Sequence, residues 1–390
     1  MSIPNRDPPA TRRPPPWRDI RILRIAFQAA FLVAVGALLL WIVDNTVGNL
    51  QRRGLDTSFD FLSQPAGFRI PGSDFRTSQS IGDAILVGVG VTLKVSAVGV
   101  VLAFLLGVIV GVARLSPNWL VRRAAALYVE SLRNVPVLAI IFFWYLAVIL
   151  RLPTVEFAGL FVFSNRAFAV PDLAAEDGIG ILGLVAVVGL AAAAATWVWR
   201  TRRFDATGEP HHRVLWAGGV LLAVLLLGFA ATGTPLALDT PERRTFGFGG
   251  GLQMSPEFAG LLIALVLYTA SHIAEVVRGS ILAVQTGQRE AADALGLSAF
   301  QRLRFVVLPQ AFRIMIPPLA NHFLNLVKNS SLGVAIALPE MTRVVRIAIS
   351  QASPAPQSIV LLMGIYLVFS LTIAFVTNLV NRKLQLKGRM

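Results

Sequence analysis

Long apolar runs alternate with charged or Pro- and Gly-rich stretches along the 390-residue chain. A helix needs about 20 predominantly apolar residues to cross the hydrocarbon core of a bilayer. Eight runs approach that length, although the fifth is short and polar residues interrupt the seventh. They lie at 24–43, 84–113, 127–150, 179–199, 214–231, 258–284, 312–337 and 358–380. The pattern therefore predicts an all-α membrane protein with about eight transmembrane helices.

Composition supports a membrane protein. The chain is 55% hydrophobic and 14% charged, with a mean hydropathy of +0.68, whereas soluble domains carry roughly a quarter charged residues. An ordinary soluble protein is thus excluded. The absence of cysteine excludes a disulfide scaffold, a cysteine nucleophile and a thiolate metal site. The first run is too long for a cleavable signal and lacks a processing site, so we expect 24–43 to be an uncleaved anchor.

The net charge of +14 follows the expected topology. Basic loops stay on the cytoplasmic side of a membrane. With both termini inside, most of the 35 Lys and Arg residues fall in inside segments. We therefore expect a multi-pass membrane protein with cytoplasmic N- and C-termini. The charge favours contact with anionic inner-leaflet lipid over nucleic acid, and no nucleic-acid partner is expected.

Motifs that would indicate catalysis are absent from the sequence. There is no P-loop, no His-Glu-x-x-His and no Gly-x-Ser-x-Gly. We expect no catalytic residue, no metal site and no cofactor in this chain.

The segment 288–309 differs from the other connections between spans. Its pattern predicts a short helix from Glu290 to Leu295, a break at Gly296, a second helix starting at Ser298, and Pro309 opening the next span. Two interpretations are equally compatible with its composition. It is either a rigid knob offered to a soluble partner or a connector lying on the membrane surface.

A resemblance favours the knob. Glu290, Ala291 and Ala292, then Gly296, then Val306-x-Leu308-Pro309 resemble the EAA signature of ABC-importer permeases. Val306 stands where that family usually has Ile. The blocks 128–136, 274–279, 309–311 and 325–332 are similar to blocks of the polar amino acid branch, although Asn134 and Val135 depart from its pattern. The longer layout resembles the general L-amino acid permease subunits, whose systems accept a broad range of amino acids.

The resemblance implies a five-helix permease core with an N-terminal anchor helix and an inserted helical pair. In chain order the segments are a disordered basic cytoplasmic tail (1–23), the anchor (24–43), an external loop (44–83), the first part of the core (84–150), an inserted segment with two spans (151–257), the second part of the core (258–381) with a cytoplasmic coupling segment (285–311), and a cytoplasmic tail (382–390).

The resemblance also implies a bacterial plasma (inner) membrane as the location, and it implies partners. These are an ABC ATPase dimer that holds ATP and Mg, a second permease subunit that we expect to be a paralogue, and an extracytoplasmic amino-acid-binding protein. The residues implied to couple to the ATPase are Glu290, Ala291, Ala292, Gly296, Leu308 and Pro309. This chain would then hydrolyse nothing itself.

Polar residues inside the spans are the candidates for a substrate path, because buried polarity there is costly and usually functional. Glu275 and Arg278 lie three positions apart and can pair on one helix face. His272 and His322 lie in different spans and can meet in the bundle interior. Asn325, Lys328 and Asn329 provide a further polar group. Each set could instead be structural, and for the histidines a hydrogen-bonded packing role is the favoured interpretation.

Two further points complete the sequence predictions. The series Gly99, Ala103, Gly107 and Gly111 predicts close helix packing. An ion-gradient-driven secondary transporter of a polar solute is the alternative function, and its coupling carboxylates would have to be Glu275 or Glu130.

Overall fold

The computed structural model describes residues 20–52, 54, 58–154, 157, 158, 160–175, 179–207, 212–231, 236–243, 248–351 and 353–384. Most of these residues are helical. The helices are α1 Ile20–Arg52, α2 Ile81–Ala113, α3 Trp119–Arg133, α4 Val137–Phe142, α5 Ile179–Thr207, α6 Arg213–Ala231, α7 Pro256–Leu282, α8 Thr286–Ala294, α9 Ala299–Arg302, α10 Leu308–Asn329, α11 Met341–Ser350 and α12 Ala355–Leu384. The helix α1 begins inside the segment predicted as a tail, and residues 1–19 and 385–390 of the two predicted tails lie outside the described residues.

Within the described residues, seven helical segments are long and apolar enough to cross a membrane, and a bent helix pair brings the number to eight. They comprise α1, α2, α5, α6, α7, the continuous segment Ala299–Ile336 that contains α10, and α12. The prediction of an all-α membrane protein with about eight spans is confirmed.

The third predicted span, 127–150, is not one continuous helix. The helix α3 ends at Arg133, and the helical segment Val137–Arg151 turns away from it by 107°. Pro136 has no backbone N–H and disfavours a helical conformation at the preceding residue, so the helix cannot run through Val135. An apolar run alone does not reveal this bend, because the hydrophobicity continues across it.

The core of the bundle is the contact between α2 and α7. A Cβ atom at Gly107 would lie 2.6 Å from Ile273, and one at Gly111 would lie 2.7 Å from the carbonyl oxygen of Ala274. The predicted small-residue packing of α2 is therefore confirmed. Around this contact lies the central apolar cluster, which includes the fully buried Leu261, Leu265, Ile273, Met315 and Leu326.

The predicted external loop 44–83 is partly helical. Its first residues belong to α1, and Asp60–Ser63 forms a short 3-10 helix. Buried aromatic residues of this segment, Phe61, Phe68 and Phe75, pack with the first turn of α2. The helix α2 then begins at a capping box, in which Ser80 and Asp83 each accept from the other's backbone N–H.

The inserted segment contains short strands that the sequence did not predict. Strands β1 Phe157–Ala158, β2 Phe161–Phe163 and β3 Phe168–Val170 form an antiparallel sheet with β8 Leu252–Met254, in the order β1-β2-β3-β8. Two further pairs form, β4 Asp172–Ala175 with β5 Leu236–Asp239, and β6 Glu242–Arg243 with β7 Phe248–Gly249. The chain before α5 thus pairs with the chain after α6, and β8 leads directly into α7.

The helices α5 and α6 pack against each other as a pair, with Gly228 against Val185. Because Gly228 has no side chain, the two helices approach closely at this level. The predicted inserted helical pair is therefore present in the structure.

Candidate functional site

A polar cavity of about 280 Å³ lies between α7, α10 and the start of α4. Its lining residues are Val137, Tyr268, Thr269, His272, His322, Asn325 and Asn329. The α7 residues recur at spacings of three and four, as do those of α10, so each set lies on one helix face. His272 is ten residues from the end of α7, about 15 Å along the axis, which places the cavity near the middle of the span.

The two histidines form one wall of this cavity. Their ring centroids lie 5.4 Å apart at an interplanar angle of 27°, and Tyr268 meets His272 edge to face at 4.7 Å. The prediction that His272 and His322 meet in the bundle interior is confirmed. Among the described residues, however, the buried Nε2 atom of His272 has no hydrogen-bond partner. The protein therefore does not provide hydrogen-bond partners for both ring nitrogens of His272. A polar group bound in the cavity would supply the missing partner of Nε2.

The predicted polar group on α10 divides between two faces. Asn325 and Asn329 line the cavity, whereas Lys328 does not. Residues four apart share a helix face, while adjacent positions are rotated by about 100°. Lys328 is thus turned by about 100° from its neighbour Asn329, and it lies outside the cavity lining. The sequence prediction missed Tyr268 and Thr269, although both lie on the same face of α7 as His272.

Glu275 and Arg278 do not line the cavity. They lie one turn further along α7 and form the predicted pair, with Arg278 Nη2 and Nε donating to the Glu275 carboxylate at 2.5 and 3.1 Å. Arg114, the C-cap residue of α2, donates to the same carboxylate. Glu130 on α3 lies 3.7 Å from Arg114. We call Arg114, Glu130, Glu275 and Arg278 the charge cluster, and the sequence did not predict Arg114 as a member.

The coupling segment 285–311 forms a rigid double turn between α7 and α10. Its first helix, α8, ends in a Schellman motif, in which Leu297 N–H donates to Ala292 O and Gly296 N–H donates to Asp293 O. Gly296 has φ +72°, a left-handed conformation that favours glycine. Ser298 and Gln301 then form a capping box that starts α9. The predicted break at Gly296 and the helix start after Ser298 are confirmed.

Side-chain contacts fasten this segment to itself and to both neighbouring spans. Arg302 Nη1 donates to both carboxylate oxygens of Asp293 and so joins α9 to α8. Arg289 Nη2 donates to Ile281 O at the end of α7, at 2.5 Å. Gln310 Nε2 at the start of α10 donates to Gln288 Oε1 at 3.2 Å. The segment is therefore a braced connection rather than a loose loop.

The signature residues occupy distinct positions in this connection. Ala292 is buried, Leu308 is half-buried, and Glu290, Ala291, Gly296 and Pro309 are exposed. Leu295 and Phe300, which flank the turn, are 80% and 67% exposed. Such apolar side chains on a projecting turn are typical of a surface that binds another protein.

Within the described part of the chain, no three His, Asp or Glu side chains are grouped so that they could hold a metal ion. The polar chemistry of the site is thus that of the cavity and the charge cluster.

Comparison with known proteins places this architecture in a family. Residues 214–386 match the family model described as "Binding-protein-dependent transport system inner membrane component". The general L-amino acid transport system permease protein AapQ of Rhizobium johnstonii is 38% identical over 377 residues, covering 95% of this chain and 94% of that protein. The putative amino-acid ABC transporter permease protein YhdX of Escherichia coli is 40% identical over 376 residues, covering 93% and 94%.

A third relative is the glutamate/glutamine/aspartate/asparagine transport system permease protein BztB of Rhodobacter capsulatus. It is 34% identical over 409 residues, covering 95% of this chain and 96% of that protein. The chain belongs to the inner-membrane permease components of binding-protein-dependent ABC importers. Within that family it is similar to the general L-amino acid permease subunits, as the sequence resemblance indicated. It is a multi-pass membrane protein.

Proposed function

We propose that this chain provides one half of the membrane path of an ATP-driven importer that moves a broad range of L-amino acids into the cytoplasm. The observation that carries the proposal is a connection within the fold. The polar cavity lies between α7 and α10, and the coupling segment joins the same two helices. A partner that moves the coupling segment would therefore move both principal walls of the cavity.

The contacts of the coupling segment support such a transmission. Arg289 ties α8 to the end of α7, and Gln288 ties it to the start of α10. The pairing of Asp293 with Arg302 holds the intervening turn together. A force on the exposed Leu295 or Phe300 would thus reach both spans without being absorbed by a flexible loop.

The cavity has the chemistry that an amino acid backbone requires. A zwitterion needs acceptors for its ammonium group and donors for its carboxylate. The hydroxyl groups of Tyr268 and Thr269 and the amides of Asn325 and Asn329 supply both kinds. None of the lining residues carries a fixed charge, so selection for one side-chain charge is weak. This agrees with a broad substrate range, which the name of AapQ states for that protein.

The partners follow from the family. An ATPase dimer, which would bind ATP and Mg, would dock on the coupling segment through Glu290 and the exposed apolar residues. A second permease subunit, a paralogue of this chain, would complete the path, and an amino-acid-binding protein would deliver substrate at the opposite face. The coupling segment and both termini would then be cytoplasmic. The relatives support this scheme and do not support an ion-gradient-driven secondary transporter.

The test begins with the intact complex. The chain is tagged, the membrane is solubilised gently, and the copurifying subunits are identified and reconstituted in liposomes. We expect a P-loop ATPase and a second permease, and uptake of radiolabelled L-amino acids that needs ATP and the binding protein. A chain that purifies alone and drives uptake from an ion gradient would overturn the proposal.

A pair of variants on α10 tests the position of the path. Asn325→Ala removes a hydrogen-bond donor and an acceptor from the cavity. We expect ATP-dependent uptake of the amino acid to fall about tenfold, in line with one or two lost hydrogen bonds. Lys328→Gln changes an exposed residue three positions away and should leave uptake near the wild-type rate. Equal losses in both variants would indicate a general effect on α10 and would argue against the cavity as the path.

A further inference from the structure

Arginine and tryptophan side chains interlock at one end of the inserted helical pair. Arg200 of α5 lies 5.2 Å from the ring centroid of Trp216 of α6, and Arg213 of α6 lies 4.8 Å from that of Trp197 of α5. The two contacts are reciprocal, because each helix places a guanidinium over a ring of the other. Arg203 adds a third guanidinium, 6.0 Å from the ring of Trp199. We call these three arginines and three tryptophans the Arg–Trp layer.

Stacking holds the guanidiniums in place without removing their charge. A guanidinium over an aromatic ring is attracted by the ring's quadrupole but remains a full cation. The Arg–Trp layer thus brings three guanidinium groups together near one end of the helical pair. Tryptophan is enriched at membrane–water interfaces, since its ring is apolar and its N–H can reach the polar headgroups.

A groove runs along α6 directly below this layer. It is a shallow apolar depression of about 300 Å³ on one face of α6, lined by Leu215, Trp216, Gly219, Val220 and Ala223. The helix α6 has 19 residues, about 28 Å, which matches the thickness of the hydrocarbon core. Arg213 is its first residue, so the groove begins at the interface. Residues 215–223 extend about 12 Å from there, within a single leaflet.

We propose that the Arg–Trp layer and this groove bind one anionic glycerophospholipid, with its phosphate on the guanidiniums and an acyl chain along α6. The charge at one end and the apolar lining below match an amphiphile in both chemistry and length. The positive charges select an anionic headgroup. The exposed Leu215, Leu222 and Leu226 on α6 extend the apolar surface along which the chain would lie. This inference does not depend on which solute the importer carries.

Lipid titration with native mass spectrometry tests the proposal on the full chain, purified with the subunits that accompany it. Phosphatidylglycerol and phosphatidylcholine with identical acyl chains serve as probes. We expect tighter binding of phosphatidylglycerol to the wild-type protein. Arg213→Gln should weaken that binding about fivefold, the typical effect of one basic residue near a membrane surface, and should weaken binding of the zwitterionic phosphatidylcholine less. Arg213→Lys keeps the charge and should retain the preference.

The neighbouring Arg202→Gln is the matched control. Arg202 is exposed and, among the described contacts, is not stacked on a tryptophan ring. Arg202→Gln changes the net charge by the same amount as Arg213→Gln but should leave the preference for phosphatidylglycerol over phosphatidylcholine intact. Gly219→Leu fills the groove and should weaken binding of both lipids. Equal affinity of the wild-type protein for the two lipids, or an equal loss in Arg202→Gln and Arg213→Gln, would overturn the proposal in favour of diffuse surface charge.

Discussion

Arg114 at the end of α2 donates a hydrogen bond to the carboxylate of Glu275 on α7, across 161 positions of sequence. The same carboxylate accepts from Arg278, so one acidic group holds two guanidiniums. The Arg114 side chain is 15% exposed and that of Glu275 is 27% exposed. This pairing fixes the end of α2 to α7 one turn away from the polar cavity.

Glu275→Gln should destabilise the bundle. It removes the charge that compensates Arg114 and Arg278, and leaving partly buried donors without a charged acceptor costs roughly 1–3 kcal/mol. We expect a lower midpoint of thermal unfolding for the purified complex in nanodiscs.

Glu130→Gln is the control for this effect. Glu130 is 65% exposed and lies 3.7 Å from Arg114, so it contributes as a surface ion pair does. The unfolding midpoint should change little. If both variants lower it equally, the charge cluster acts only through its net charge and the direct pairing with Glu275 is unimportant.

Gly296→Ala should impair coupling to the ATPase without altering the residues that line the polar cavity. Nothing lies within 4 Å of a Cβ atom at Gly296, so the cost comes only from φ +72°, about 1–2 kcal/mol for a residue with a side chain. The Schellman turn would loosen, and we expect weaker retention of the ATPase and slower ATP-dependent uptake. Gly287→Ala in α8 is the matched control, because it also meets no neighbour but is helical. Retention unchanged in both variants would show that the turn is not needed.

Gly107→Ala should disrupt the contact between α2 and α7. The new methyl group would lie 2.6 Å from Ile273, and forcing it into this packing should cost about 1–3 kcal/mol. Gly90→Ala on the same helix meets no atom within 4 Å and should be neutral or slightly stabilising. Thermal unfolding of the two variants measures the difference. Pairing Gly107→Ala with Ile273→Ala should recover part of the loss, since the second change removes the obstructing atoms.

The sequence predicted those features that depend on local pattern. Apolar runs located the spans, the small-residue series on α2 indicated its packing face, and Gly296 with Ser298 predicted the double turn. The pairing of Glu275 with Arg278 also follows from their spacing on one helix. These features need only the neighbouring few residues.

The features that the sequence did not predict depend on contacts between distant segments. Arg114 reaches Glu275 only because α2 packs on α7, and β3 pairs with β8, and β4 with β5, only when the segments before and after the inserted pair meet. The bend at Pro136 was missed for a different reason, since hydrophobicity masked a local signal. In the cavity, Tyr268 and Thr269 could have been found by extending the face of His272 along α7.

Glu340 links α11 to the rest of the fold and makes the last prediction possible. The carboxylate is fully buried at the N-terminus of α11, where it accepts from the backbone N–H groups of Thr342 and Arg343 at 2.8 and 2.9 Å. Tyr366 of α12 lies 3.5 Å away. Burial raises the pKa of this carboxyl from its ordinary value of 4.5 to about 7, and the hydrogen bonds offset only part of that shift.

Because the pKa of Glu340 is higher in the folded state, the folded protein binds a proton that the unfolded chain has released between about pH 4.5 and 7. The contribution of this group to stability should therefore decrease as pH rises through that window and stay constant above it. Glu340→Gln cannot titrate, so its free energy of unfolding should change less between pH 5 and pH 8. The comparison uses denaturant unfolding of both proteins in the same nanodiscs. All other titrating groups are present in both proteins and cancel in the difference. Parallel pH profiles for the two proteins would show that Glu340 keeps an ordinary pKa, and the burial of its charge would then have to be compensated by the N-terminus of α11 alone.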